Sequence, residues 1–457
     1  MLSQTRLKTP REISELDAQH VLVPWKKQGG PRGLPITRAE GVYFWNADGK
    51  RFLDLTSQFV FTNFGHGERR VVDAIARQAA ELPVMASSFV TAARAEAAQA
   101  IAEVTPGDLN RVFFSTSGAE ANEAAMKFAR DLTGRPLIVS RHRSYHGSTF
   151  GAMTLSRDDR SWPFEPALPG VMSAPLCDPY RCPFAPPGER CTDCAGHCVS
   201  LLEDVLQQYG PHRVAAIIVE PITGSNGLIV PADDYLKQLR EVCDKYGILL
   251  ICDEVMTGFG RTGRWFASEL FGIVPDIMTM AKGLTGGYVP LGATVVREGL
   301  AKQWDTRPLL HGHTYSNHAL ACAAASAAIA VYRDDHLVER CAEVGPYLLQ
   351  RAEWLMSRHS SIGDVRGKGL FVGMELVRNR TTKQRLIETG APSPTVKDRV
   401  LAKAMEEGVY VMAGQASNVI VMTPPLTITR EQIDEGVDVL DRALALADAE
   451  VETSSTW

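Results

Sequence analysis

The chain has 457 residues, 45% hydrophobic and 22% charged, and its 48 basic and 53 acidic side chains leave a formal charge of −5. Glycine (38) and proline (26) are near ordinary usage, which excludes a disordered chain, a collagen-like repeat and a small disulfide scaffold. The charge offers no footprint for nucleic acid, and the length suits roughly two or three domains or one large α/β unit with appendages.

Met1–His20 carries Arg6, Lys8, Arg11, Glu12, Glu15 and Asp17. It has no apolar core of the signal-peptide kind, and its acids argue against a transit peptide, so a cytoplasmic protein is expected. Tyr43–Leu55 (YFWNADGKRFLDL) reads as a hairpin turning at Asp48-Gly49. Further on, apolar runs alternate with helical stretches: RVFFS at 111–115, PLIVS at 136–140, AAIIVE at 215–220, ILLICDE at 248–254, DIMTMA at 276–281 and ATVVR at 293–297. Fully apolar strands separated by helices predict an α/β fold whose mostly parallel sheet is covered on both faces. The longest uncharged apolar run, Ala319–Tyr332, has 14 residues and falls short of the roughly 18–20 that a spanning helix needs. It reads as a buried helix, with no membrane association. The expected organisation is a large domain at 71–330 and a smaller α+β domain assembled from 1–70 and 331–457.

Several constellations carry chemistry. FFSTSGAEANE at 113–123 ends a strand in small residues and opens a helix, predicted over Ala119–Arg130, whose first N–H groups could take a phosphate. Ser117 with Glu120 would equally make an ordinary capping box. GFGRTG at 258–263 matches the dinucleotide fingerprint, but neither the long helix nor the distal acid that fingerprint needs follows it. Asp253 and Glu254 end an apolar strand, a costly place for a carboxylate unless a cationic partner meets it. Lys282 closes another apolar strand and opens a glycine-rich loop, where a desolvated amine becomes carbonyl-reactive. Tyr145-His146-Gly147 puts an aromatic where ligands sit in open α/β sheets, able to stack on a flat heteroaromatic ring. A phosphate cradle, a stacking aromatic, a buried acid and a strand-end lysine converge on one cofactor, pyridoxal 5′-phosphate.

Through FFSTSGAEANEAAMKFAR, SYHGST, IIVEPI, CDEVMTGFGRTG, TMAKGLTGGYVPLGA, HTYSNHALACAAA, VRGKGLFVGMEL and TPPL, the chain resembles the class III (subgroup II) pyridoxal-phosphate aminotransferases of ω-amino acids and ω-amines. Among subfamilies it is most similar to the taurine–pyruvate-like enzymes. That resemblance implies the fold-type I architecture and a homodimer, or a tetramer built from it, with shared active sites. It also implies Lys282 as the Schiff-base lysine, Asp253 as partner of the pyridine nitrogen, and Val255 packed on the ring face opposite Tyr145, with His146 beside it. Ser117, Gly118 and Ala119 would hold the phosphate, Thr314 would reach the neighbouring subunit's phosphate, Glu220 would lie beside the cofactor, and Trp25 would line the substrate pocket.

The reaction implied moves an amino group from an ω-amino acid or amine, such as taurine, β-alanine or 4-aminobutyrate, to a keto acid, pyruvate foremost. A racemase, epimerase or aminomutase would share every motif quoted, and a non-catalytic interaction protein built around a cysteine-rich insertion is the remaining alternative. Two departures stand out: Met256 replaces the family's usual glutamine, and GVYVMAGQASNVIVMTPPL has Met412 but no arginine for substrate carboxylates.

Five of the nine cysteines, Cys177, Cys182, Cys191, Cys194 and Cys198, fall within 22 residues together with His197. A zinc site, disulfides and packed free thiols all fit this insertion; with a single C-x-x-C pair present, no metal is assigned. Cys243, Cys252, Cys322 and Cys341 sit in apolar patterns and read as core. His311 and His313 read as loop structure near the phosphate site.

Overall fold

The protein is described here by a computed structural model covering residues 8–30, 33–388, 390–414 and 418–451; parts of the N-terminal stretch, of the arginine-free segment and of the polar tail lie outside the described residues. A seven-stranded sheet forms the centre, in the spatial order Leu109–Ser115, Gly292–Arg297, Ile277–Met280, Leu249–Asp253, Val214–Val219, Leu137–Arg141, Val171–Ala174. Val214–Val219 and Ile277–Met280 are buried along their whole length, as strands covered on both faces must be. Gly292–Arg297 runs antiparallel to both neighbours, and the other adjacent pairs are parallel. The sheet is therefore mostly parallel, as expected from the sequence.

Two differences have local causes. Val171–Ala174 is a seventh strand without a sequence signal, because VMSA at the sheet edge is only alternately buried. In the Tyr43–Asn46/Arg51–Asp54 hairpin the connection is longer than a two-residue turn. The Asn46 side chain accepts from the backbone N–H groups of Asp48 and Lys50, and Gly49 takes φ 80°, the left-handed region glycine tolerates.

Chain ends and middle are interwoven. Val409–Tyr410 adds in parallel to Arg51–Asp54, so one four-stranded sheet draws on both ends of the chain. A five-stranded sheet is built on Ile362–Lys368, Phe371–Asn379 and Val419–Met422. Ala319–Asp334 is a helix buried against Arg69–Glu81 and Ala92–Ala102, which accounts for its apolar run. No helix among the described residues is long and apolar enough to cross a membrane.

The helix Gly118–Thr133 leaves the first central strand at once. Ser117 caps its start, its hydroxyl accepting from Glu120 N, and Gly134 ends it in the left-handed conformation at φ 66°. Its start, together with the C-terminal ends of the strands that finish at Asp253, Val219 and Met280, rims one crevice. That is where ligands bind in open α/β sheets.

Candidate active site

Asp253 closes a strand and is 4% exposed. Its Oδ2 accepts from Asn122 Nδ2 at 2.7 Å and stands 2.7 Å from His146 Nδ1, while Oδ1 accepts from Val255 N at 3.0 Å. Asn122 is itself steered by Thr279, whose hydroxyl donates to its Oδ1 at 2.7 Å. The Asp253 carboxylate is thus held in a fixed direction by the groups bonded to it. A protonated heteroaromatic nitrogen is the partner such an acid can take.

Lys282 lies at the end of the next strand, at φ 45°, a left-handed conformation unusual for a side chain of this size. Its accessible part faces a chamber of about 450 Å³ that Asp253, Glu220, Tyr145 and Val255 also line. Burial pushes the ammonium down to about 8; Asp253 and Glu220 oppose this, and the Arg160 cation adds to it. Glu220 is held rigidly, accepting from Tyr145 N at 3.1 Å and Gly224 N at 2.8 Å, and burial raises its pKa.

The helix start contributes Gly118 and Ala119 to the same chamber. The Gly118 and Ala119 N–H groups have no carbonyl behind them in the helix, the kind of donors that can seat an anion. A Cβ on Gly118 would come within 2.9 Å of Val255 Cγ2, so only glycine lets the turn approach the chamber this closely. Gly147, at φ 134°, is more constrained, because a Cβ there would meet the Ala119 backbone at 2.8 Å. Acid, amine, anion seat and flat aromatic together match the donor set pyridoxal phosphate requires.

A second chamber of about 560 Å³ opens outside the first, the two sharing Tyr145, Gly147 and Ser148. Trp25, 55% exposed, lines the outer one. Arg160 also lines it, its guanidinium 3.8 Å from the Tyr145 ring centroid and 5.9 Å from that of Trp25. Asp158 holds Arg160 in place through both carboxylate oxygens and is itself bonded by Asn226 Nδ2 at 2.9 Å. Met256 lines the inner chamber in place of the family glutamine, over Gly224, where a Cβ would meet its sulfur at 2.3 Å.

The fold thus brings Gly118, Ala119, Tyr145, His146, Glu220, Asp253, Val255 and Lys282 to one chamber, with Ser117 adjoining as the helix cap and Trp25 at its approach. Thr314 is not brought there; it is exposed in the loop before Ala319. His313 Nδ1 stands 4.0 Å from Glu120 in the first turn of the same helix, and His311 packs on Phe113 and Phe128. Asn122 and Arg160 have no counterpart in the sequence reading. Nor has Arg261, the arginine of GFGRTG, which is fully buried and donates to Ser57 Oγ, Asn63 Oδ1 and the carbonyls of Leu370 and Pro424.

The profile of the aminotransferase class-III family matches residues 26–444. The chain belongs to the class-III aminotransferases. It is 36% identical to the putrescine–pyruvate aminotransferase of Pseudomonas aeruginosa over 97% of this chain and 98% of that protein. It is also 36% identical to the taurine–pyruvate aminotransferase of Bilophila wadsworthia, over 94% and 96%. The structure of the taurine:2-oxoglutarate aminotransferase of Bifidobacterium kashiwanohense, in complex with pyridoxal phosphate and glutamate, aligns at a TM-score of 0.93 and 39% identity. That alignment covers 97% of this chain and 99% of that one. A leucine/methionine racemase of Thermococcus litoralis is 37% identical over 90% of both chains, so a racemase can share this framework. The protein is a pyridoxal-phosphate-dependent aminotransferase of fold type I, and the reading as a non-catalytic interaction protein is set aside.

Proposed function

We propose that this aminotransferase takes its amino group from an ω-amino acid or amine of the taurine, β-alanine or 4-aminobutyrate kind and gives it to pyruvate. The observation that carries this reading is Arg160. It is a cation lining the outer chamber, stacked on Tyr145 and felt electrostatically at Lys282, well placed for an acidic group remote from the reacting nitrogen. Pyruvate as acceptor is supported by the names of the putrescine and taurine relatives.

Bound in the inner chamber, pyridoxal phosphate supplies an electron sink for the carbon that bears the amino group. In our reading Lys282 is the catalytic residue. Its amine would hold the cofactor at rest and, once freed by the donor, would carry the proton that leaves the donor carbon. Asp253 would hold the ring nitrogen in its protonated form, aimed by Asn122 and His146. Gly118 and Ala119, with Ser117 capping their turn, would hold the phosphate, Tyr145 and Val255 would enclose the ring, and Glu220 would brace the Tyr145 backbone. Trp25 would border the substrate.

A homodimer that shares its sites accounts for features one chain leaves open. Thr314 is exposed beside Leu310 and Tyr315, themselves 90% and 62% exposed, and would complete the partner's phosphate seat. Division of the chain at about 70 and 330 into a small and a large domain is supported by the sheet that pairs Arg51–Asp54 with Val409–Tyr410.

A donor screen with pyruvate and 2-oxoglutarate tests the substrate class. Incubation with one amine and no keto acid tests the reaction type: consumption stops at one equivalent per site for a transaminase. Continued turnover without a keto acid would assign a racemase or aminomutase instead.

A further inference from the structure

The insertion between Val171–Ala174 and the helix Cys194–Tyr209 gathers soft ligands that the aminotransferase chamber does not use. Cys194 and Cys198 stand one turn apart on the helix, and Cys177 approaches from the strand side. Their sulfurs all lie within 4.8 Å of one another, Cys177 Sγ and Cys194 Sγ being 3.5 Å apart. A disulfide needs about 2.05 Å, so these are separate thiols. Sulfurs arranged tetrahedrally about zinc at about 2.3 Å stand about 3.8 Å from each other, a value that falls between the 3.5 Å Cys177–Cys194 separation and the 4.8 Å within which all three lie. All three are buried, at 0%, 1% and 6% exposure. A second triad, Cys182, Cys191 and His197, has similar mutual distances, with His197 Nδ1 3.7 Å from Cys191 Sγ.

Free thiols packed as small apolar side chains are the plain alternative. Cys243, Cys252, Cys322 and Cys341 play that part elsewhere and belong to neither triad. The insertion differs in its burden. Residues 175–193 have no helix or strand, yet Arg181 pairs with Glu375, Arg190 with Asp364, and the Lys383 amine bonds the carbonyls of Tyr180 and Glu189. An irregular, proline-rich loop is thus held firmly enough to fasten the central sheet to the Ile362–Lys368/Phe371–Asn379 sheet. The wholly buried Arg141 supplies compensating charge: it acts electrostatically on the Cys177 sulfur, and its Nε has no hydrogen-bond partner among the described residues.

We propose that Cys177, Cys194 and Cys198 bind one thiophilic divalent ion of the zinc class as a structural site of this aminotransferase. Three S–H bonds break, three sulfur–metal bonds form and three protons pass to water, with no change of oxidation state. The three protein thiolates leave one tetrahedral corner to a further donor.

Elemental analysis of the holoenzyme, purified with its thiols reduced and without chelator, tests this. One zinc-class ion per chain is expected, kept in C182S/C191S and lost in C194S/C198S, with the cofactor absorbance intact in every variant. Because the cysteine variants could fail to fold, chelator-stripped wild type is also titrated with Co²⁺. One equivalent should produce the visible bands of a tetrahedral cobalt–thiolate centre, to the red of the cofactor, and restore the unfolding temperature lowered by stripping. A wild type that purifies metal-free and forms no cobalt–thiolate band overturns the proposal. So does an ion retained by C194S/C198S.

Discussion

His146 Nδ1 stands 2.7 Å from Oδ2 of Asp253, with the two side chains 0% and 4% exposed. With Asn122 on the same oxygen and Thr279 behind Asn122, a relay of hydrogen bonds runs from a neighbouring strand through the helix to the carboxylate. Low dielectric makes each of these contacts stronger than it would be at the surface, and makes the loss of one costly. Asp253 is therefore oriented by its surroundings before any ligand arrives.

Removing the charge should cost far more than disturbing its aim. Asp253→Asn keeps the shape but surrenders the anion, so kcat is expected to fall by at least about 100-fold. Asn122→Ala leaves the anion and loosens it, and a loss of about 10-fold is expected, in the range seen for groups that orient a ligand of the reacting centre. Steady-state rates on variants matched for cofactor content by absorbance distinguish the two. Equal losses would mean that Asn122 does more than position.

Lys282→Ala should abolish turnover, and Lys282→Met gives the pH dependence. In the folded, cofactor-free protein the amine titrates near 8 instead of its ordinary 10.5, mainly through burial. Between those values the unfolded chain holds one proton more than the folded one, so this group makes stability rise with pH there. Below about pH 8 its cost is fully present. Cofactor-free Lys282→Met should thus be more stable than wild type at pH 7 by up to about 3 kcal/mol, at about 1.4 kcal/mol per pKa unit, less whatever chamber water screens. The advantage should shrink toward pH 10. Urea melts at several pH values read it directly, and a gap that widens with pH would contradict the assignment.

The residues that could be read from the sequence are those whose placement is costly. Asp253 and Lys282 are charges terminating apolar runs, and such charges demand a reason at any level of description. Six of the seven central strands are equally plain as continuous apolar segments. Direction is not: ATVVR carries no mark of being antiparallel, since an apolar run packs either way. Asn122 lies in the helix after the cradle and acquires its role only when that helix crosses Asp253. Arg160, within RDDR, looks like a solvated charge cluster until Asp158 and Tyr145 fold around it. The cysteine spacing likewise conceals that Cys177 joins Cys194 and Cys198, leaving the nearer Cys182 to the other triad.

Arg261 offers a test of architecture apart from chemistry. Its guanidinium, fully buried, joins Ser57 and Asn63 near one end of the chain to Leu370 and Pro424 near the other, and burial pushes its pKa down to about 10. Arg261→Met fills much of the space but leaves buried acceptors without donors, each costing about 1–3 kcal/mol. A loss of at least about 3 kcal/mol in urea unfolding is expected. Cofactor absorbance below the transition should be unaffected, since Arg261 makes no contact in the inner chamber. A variant as stable as wild type would show that water replaces the guanidinium at no cost.

Arg160 should separate substrates by charge. A hydrogen-bonded contact between a guanidinium and a carboxylate or sulfonate is worth about 1.5–3 kcal/mol, or roughly 10- to 100-fold in kcat/KM. Arg160→Met keeps apolar bulk over the Tyr145 ring while removing the charge. Taurine, β-alanine and 4-aminobutyrate should lose that factor, and a simple uncharged arylalkylamine should not. The substitution also removes a cation that depresses the Lys282 ammonium, so the titration profile of that ammonium in the cofactor-free protein should shift to higher pH. The two readouts are independent. An equal fall for acidic and neutral donors would move Arg160 from substrate recognition to support of Tyr145, and an unmoved profile would deny its electrostatic reach to the lysine.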